Sequence, residues 1–134
     1  MNVNELGDGP RRIFNLLLDP GEEAVEALGE FARREQVEMA SFSAIGGFQD
    51  VTLGFFNLET KGFDEILLDL GQVEVLSLSG EITWSDSAPH VHGHAVVGCR
   101  NGSTRGGHLL SGVVQPILIV TLEELEHATT PHHA

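Results

Sequence analysis

Cysteine is nearly absent from this sequence, since Cys99 is the single example in 134 residues. One thiol cannot form an internal disulfide, and it cannot build a zinc centre of the Cys₄ or Cys₂His₂ type. Any bound metal ion must therefore rely on imidazole and carboxylate ligands. A chain without disulfides is also typical of a reducing compartment, and we expect a cytoplasmic protein.

Basic residues are scarce as well. Seven Lys and Arg stand against twenty Asp and Glu, which gives a formal net charge of −13. An acidic surface repels the phosphate backbone of nucleic acids, so the charge disfavours direct DNA binding. The clustered arginines, Arg11–Arg12, Arg33–Arg34 and Arg100 with Arg105, fit the solvated ends of strands and helices better than a nucleic-acid footprint.

Long hydrophobic runs are missing too. The first twelve residues contain no apolar segment of the signal-peptide type, and the longest apolar run, residues 116–120, is far shorter than the ~20 residues of a membrane span. With 41% hydrophobic and 20% charged residues, the composition is that of a globular chain. We therefore expect one domain over residues 1–134, with an ordered core at about 10–126 and short flexible termini.

Hydrophobic periodicity predicts one principal helix and many strands. Apolar residues recur at helical spacing between residues 20 and 35, where Asp19 is the expected N-cap and Pro20 the first helical residue. Period-two segments predict strands at 11–18, 40–45, 51–56, 63–68, 73–83, 90–97, 107–110 and 114–122. We expect Gly46–Gly47 to form a bend or bulge and residues 123–127 to fray. The predicted fold is a compact α+β domain with a mainly antiparallel sheet.

The main chemical signal is a run of alternating histidines. His90, His92 and His94 lie on one face of an extended segment, because side chains of a strand alternate between its two faces. Imidazoles two residues apart can converge on one ion at the ~2.0–2.1 Å bond length that zinc prefers. The alternative is that the three form only a polar face. His90 stands at the strand entrance beside Pro89 and is the least expected ligand.

Whether His108 joins these residues depends on the turn between the strands. A two-residue turn at Asn101–Gly102 would leave His108 on the wrong face, unless a bulge at Gly106–Gly107 restored it. A three-residue loop at 100–102 would place His94 directly opposite His108. Both of the productive arrangements predict a site of His92, His94 and His108. The remaining histidines, His127, His132 and His133, fall in the C-terminal tail, where we expect no role in the site.

Several motifs together resemble a known family. Residues 43–47 (SAIGG), 73–80 (VEVLSLSG), 92–94 (HGH) and 106–109 (GGHL) closely resemble the plant- and prokaryote-conserved (PPC) domain, in the prokaryotic stand-alone form without an AT-hook. The resemblance covers nearly the whole chain. It implies a compact α+β fold, a homotrimer, and a metal ion, zinc in first place, held by His92, His94 and His108.

The same resemblance bears on partners. Plant members carry an AT-hook that binds DNA and a Gly-Arg-Phe-Glu-Ile-Leu segment that contacts partner proteins. The matching residues 71–76 keep the glycine, Glu74 and the leucine but lack the arginine and phenylalanine. This departure disfavours the plant type of partner contact. A DNA-binding function follows only by analogy with the family.

Three functions are compatible with these residues. The first is a metal-binding trimer whose open coordination position takes a small acidic ligand. Its enzymatic version resembles the zinc lyase acetolactate decarboxylase, with Glu74, Glu81 and Arg105 as candidate catalytic groups. The second is a regulatory module that binds DNA or a protein partner. In the third, the metal is purely structural and stabilises the strands near a subunit boundary.

Overall fold

The computed structural model describes residues 1–7, 9–68 and 71–126. Within these residues, one helix and seven strands form a single α+β domain, as the sequence predicts. The elements in chain order are β1 (Asn2–Leu6), β2 (Ile13–Leu18), α1 (Ala24–Glu35), β3 (Met39–Phe56), β4 (Phe63–Leu68), β5 (Val73–Ser85), β6 (Ala88–Gly98) and β7 (Thr104–Glu126).

All seven strands belong to one antiparallel sheet in the order β1-β2-β7-β6-β5-β3-β4. Strand β7 additionally pairs with β3, so that β3, β5, β6 and β7 form a closed circuit of hydrogen-bonded pairs. The circuit is possible because β3 and β7 are 18 and 23 residues long and change neighbours along their length. The candidate histidines lie on β6 and β7, within this circuit.

Helix α1 covers the inner face of the sheet and packs against β6 and β7. Its buried residues Leu28 and Phe31 join the core, where the Phe31 ring meets Phe14 of β2 edge to face at 4.9 Å. On β6 the odd-numbered Ala95 and Val97 are buried with this core. The even-numbered positions, which include the histidines, consequently face away from the helix.

The helix begins later than the sequence predicts, and its cap is a different residue. Glu23, not Asp19, is the N-cap, and its carboxylate accepts hydrogen bonds from the backbone N–H groups of Val25 and Glu26. The same carboxylate accepts a third hydrogen bond, at 2.8 Å, from the backbone of Gly112 on β7. This contact with a distant strand selects Glu23 over the locally favoured aspartate.

Two pairs of predicted strands are in fact single strands. Residues 40–45 and 51–56 belong to the continuous β3, and residues 107–110 and 114–122 to the continuous β7. The expected irregularity at Gly46–Gly47 is present as a shift in register with both neighbouring strands. A bulge therefore bends β3 without ending it, because the strand pairing continues on both sides.

Both ends of the described chain are more ordered than the sequence predicts. Residues Asn2–Leu6 form β1, paired with β2, instead of a flexible terminus. Residues 123–126 continue β7 and do not fray, and Glu124 is only 2% exposed. The Arg12 guanidinium donates two hydrogen bonds of 2.9 Å to the Glu124 carboxylate and a third, of 2.8 Å, to the Glu35 carbonyl at the end of α1.

In the described part of the chain, no helix has the length and apolar character needed to cross a membrane.

Candidate metal centre

The turn between β6 and β7 sets the register of the histidines. Cys99 and Ser103 close a loop of three residues, 100–102, through a 2.8 Å hydrogen bond from the Cys99 N–H to the Ser103 carbonyl. Gly102 takes a positive φ of 88°, as the three-residue alternative requires. Within the resulting ladder His94 lies directly opposite His108.

The structure brings His92, His94 and His108 together. Nitrogens of the three imidazoles all lie within 4.8 Å of one another. The rings of His92 and His108 are stacked with centroids 4.9 Å apart, and His94 stands edge-on to His92 at 5.1 Å. His92 and His94 are exposed and His108 is half-buried. The cluster is thus open to solvent on one side.

Strand β5 approaches β6 closely at the backbone that carries His92 and His94. Gly80 of β5 lies opposite Gly93. A Cβ atom at position 80 would stand 2.0 Å from the backbone oxygen of His92 and 2.7 Å from the Cα of Gly93. Only glycine permits this approach, and a larger residue would displace the backbone that carries His92 and His94.

The electrostatics of the cluster favour the neutral form of His108. Burial lowers the pKa of His108 below its usual 6.5, and the neighbouring His92 and His94 lower it further. His108 is therefore neutral at pH 7, with a lone pair available to a metal ion. The cluster contains no carboxylate that would balance the charge of a protonated imidazole, which agrees with a neutral His108.

His90 takes no part in this cluster. His90 lies on β6 opposite Thr83, and its ring Nε2 is 3.2 Å from the backbone oxygen of Ser85. This separate contact agrees with its expected place at the strand entrance. His127, His132 and His133 lie outside the described residues.

The candidate catalytic residues are placed unequally. Glu81 lies opposite His92 on β5 and lines the same shallow depression as His92 and His94. Glu74 is paired with Gly98, four residues beyond His94. Arg105 is paired with Val97, whose side chain lies on the face of the sheet opposite to the histidines. The Arg105 guanidinium donates a hydrogen bond to the Thr104 carbonyl. Of the three, only Glu81 accompanies the histidines.

An apolar groove adjoins the cluster, and no pattern in the sequence predicted it. The groove has a volume of about 720 Å³. Its walls combine the three histidines with aromatic and small residues, among them Gly54, Phe56, Phe63, Ser79 and Val96. Phe63 reaches the site from β4, and its ring lies 4.3 Å from that of His108. Only the pairing of β4, β3 and β7 makes these residues neighbours.

The donor set fits a transition metal ion. Three imidazoles are the ligands of many zinc sites, and Zn–N bonds of about 2.0–2.1 Å need nitrogens roughly 3.4 Å apart in a tetrahedron. Rotation of the exposed His92 and His94 side chains would have to close the remaining distance from the observed limit of 4.8 Å. Imidazole also accepts copper, nickel and iron, so the ligands alone do not select one metal.

Comparison with known families agrees with the motifs. Residues 7–126 match the family described as the Plants and Prokaryotes Conserved (PCC) domain, which is the PPC domain of the sequence resemblance. The chain belongs to this family. Solved structures that are similar to this chain share the fold described above. A PPC protein from Pyrococcus horikoshii has a TM-score of 0.83 at 29% identity, with 94% of this chain and 83% of that chain covered.

Two further proteins of known structure are similar to this chain, and their descriptions differ. A metal-containing protein from Archaeoglobus fulgidus has a TM-score of 0.77 at 32% identity, over 92% of this chain and 85% of its own. A protein from Bacteroides thetaiotaomicron, named as a candidate DNA-binding protein, has a TM-score of 0.80 at 27% identity, over 93% of this chain and 85% of its own.

One relative is much longer than this PCC domain. The bifunctional protein GlmU of a Synechococcus strain is 32% identical over 126 residues, which cover 91% of this chain. The match spans 19% of the length of that relative.

Proposed function

We propose that this PCC-domain protein binds one transition metal ion per chain, zinc in first place, through His92, His94 and His108. The observation that carries the proposal is the convergence of three imidazoles whose nitrogens lie within 4.8 Å of one another. Three protein ligands leave a coordination position open, as catalytic zinc sites do. When bound, such an ion supplies Lewis-acid chemistry. The similarity to a metal-containing relative supports the same conclusion.

The proposal includes a homotrimer in the cytoplasm. The family resemblance implies the trimer, and the outer face of the sheet provides apolar surface for assembly. Ile45 and Ile119 lie opposite each other on β3 and β7 and are 57% and 38% exposed, with Leu76 of β5 also exposed. Exposed apolar residues of this kind favour burial between subunits. The single cysteine supports the cytoplasmic location.

Elemental analysis combined with native mass spectrometry tests both the metal site and the trimer. The untagged protein is expected to carry one zinc per chain in a trimer, and His92→Ala/His94→Ala is expected to lose the metal. His90→Ala is the matched control, because His90 lies on the same strand but outside the cluster. A metal content equal in the double variant and the control would refute the site. A metal-loaded monomer would refute only the trimer.

DNA binding is the second candidate, favoured by the name of the Bacteroides relative. The net charge of −13 opposes it, because phosphate contacts by Lys and Arg supply most of the non-specific affinity. Electrostatic attraction is strongest at low salt. Titration of labelled duplex DNA at about 20 mM salt therefore provides a sensitive test. No complex under that condition would eliminate this candidate.

A lyase activity is the third candidate, favoured by the position of Glu81 opposite His92. A carboxylate beside an open metal site can accept or return a proton during carbon–carbon bond cleavage. Small 2-keto and 2-hydroxy acids are the substrates to screen with the zinc-loaded protein. Turnover that disappears in Glu81→Gln, with the metal retained, would support the activity. A screen without metal-dependent turnover would remove it.

A further inference from the structure

We propose that the groove beside the histidines binds a small monoanionic acid with an apolar, preferably aromatic, body. The acid group would meet the metal, and the apolar body would lie between Phe56, Phe63 and Val96. This inference rests on the metal binding proposed above and deepens it by naming the class of ligand.

The first argument is the shape of the groove. Its volume of about 720 Å³ lies within the range of small-molecule sites. The rings of Phe56 and Phe63 meet edge to face at 5.4 Å, and Phe63 continues to the His108 ring at 4.3 Å. Aromatic surface thus extends without interruption from the exposed end of the groove to the imidazoles.

Space for this arrangement comes from Gly54. It lies opposite His108 in the β3–β7 pair, between the histidine and the strand that carries Phe63. A Cβ atom at position 54 would stand 3.3 Å from the Cβ of Phe63 and 3.0 Å from a methyl group of Leu110. A larger residue would therefore crowd Phe63 next to the site. The absence of a side chain at position 54 therefore leaves space in the groove.

The second argument concerns charge. Among the described residues that line the groove there is no Lys, Arg, Asp or Glu. Positive charge at its inner end would come from the metal alone, in a protein whose formal net charge is −13. One anionic group placed at the metal is compatible with this surrounding, whereas a second would lie against apolar walls without a partner. This selects monoanions over di- and triacids.

Polar groups are few and lie near the histidines. Ser79 is paired with His94 and Ser77 with Val96 on the neighbouring strand, and both line the groove. Their hydroxyls are suited to donate to the second oxygen of an acid group. An apolar groove with a few polar groups at one end is typical of sites that orient a small amphipathic ligand.

Two hydroxamates test the inference on the full-length protein loaded with cobalt(II), whose visible absorption reports on the ligands of the metal. Acetohydroxamate and benzohydroxamate present the same metal-binding group with a methyl or a phenyl body. After correction for binding to the free ion, benzohydroxamate is expected to bind at least about tenfold more tightly, since burying the phenyl ring favours it. Succinohydroxamate, which carries a second anionic group, is expected to bind more weakly than either.

Phe56→Ala supplies the structural test, with Leu58→Ala as its control. Leu58 is 75% exposed in the loop after β3 and does not line the groove. The preference for benzohydroxamate is expected to fall in Phe56→Ala and to stay unchanged in Leu58→Ala, while both variants keep cobalt. Because the preference is first measured on the unmodified chain, a variant that misfolds does not remove the test.

The outcomes separate this inference from the metal site itself. Cobalt binding without a preference between the two hydroxamates would overturn the inference and leave the metal site intact. Cobalt binding with neither hydroxamate bound would also overturn it. A protein that takes up no cobalt would overturn both proposals.

Discussion

His94 on β6 lies directly opposite His108 on β7, fourteen positions further along the chain, with ring centroids 5.6 Å apart. The pairing depends on the three-residue loop that joins the strands. A change of one residue in that register would turn one of the two imidazoles to the other face of the sheet. The loop therefore controls whether the cluster of three histidines exists.

Gly102→Val is expected to weaken metal binding and stability together. Gly102 has a φ of 88°, which a β-branched residue adopts only at a cost of about 1–3 kcal/mol. The loop would relax and disturb the register of His94 with His108. Gly102→Asn is the matched control, since asparagine tolerates the left-handed region. Zinc titration and urea unfolding should show the larger effect in the valine variant, and equal effects in both would contradict the argument.

Gly80→Ala is expected to reduce metal affinity without removing any ligand. The new Cβ atom would clash with the backbone oxygen of His92, 2.0 Å away, and push β6 outward. The displaced strand would misplace the imidazoles, so we expect at least about a tenfold loss of zinc affinity, comparable with the loss of an orienting partner. Gly62→Ala is the control, because a Cβ atom at position 62 would have its nearest neighbour, Thr60 Oγ1, 3.8 Å away. Unchanged affinity in Gly80→Ala would show that the approach of the strands is irrelevant to the site.

Arg12→Met is expected to destabilise the fold strongly. Glu124 is 2% exposed, and the Arg12 guanidinium supplies two of its hydrogen bonds. Removing one member of a buried ion pair costs about 3–5 kcal/mol, because the remaining buried carboxylate loses the positive charge that compensates it. The double variant Arg12→Met/Glu124→Leu should recover part of this loss, as urea unfolding can measure. A single variant with less than about 1 kcal/mol of destabilisation would refute the role of the pair.

Metal affinity is expected to fall in acid. Burial and the two nearby imidazoles lower the pKa of His108, so it stays neutral above pH 6.5 and gains a proton only at lower pH. Protons and metal compete for the same nitrogens, and each imidazole that must lose a proton reduces the apparent affinity about tenfold per pH unit. Competition with a chromophoric chelator at pH 7.5, 6.5 and 5.5 should show this decrease. Affinity that is constant over the range would exclude imidazole ligands.

The stability of the metal-free protein is also expected to fall in acid. Because the folded state lowers the pKa of His108, the unfolded chain binds more protons between that pKa and 6.5. The contribution of His108 to stability is therefore present above pH 6.5 and lost as the pH falls through the folded pKa. The loss of melting temperature between pH 7.5 and 5.5 should be smaller in His108→Gln than in the unmodified protein, and a larger loss would contradict the sign.

The sequence by itself determined whatever depends on neighbours along the chain. Period-two spacing put His92 and His94 on one face, and helical spacing located α1. The sequence left the length of the turn between β6 and β7 open, and the structure decided it. The single cysteine limited the metal ligands to imidazole and carboxylate.

Only the tertiary structure decided what depends on strands that are far apart in sequence. The Glu23 cap requires Gly112, the burial of Glu124 requires Arg12, and the aromatic wall of the groove requires β4 beside β3 and β7. Short-range patterns cannot predict these contacts. Each strand could pair with many distant segments, and the packing of the whole core determines which pairing forms. The same choice merged four predicted strands into the long β3 and β7.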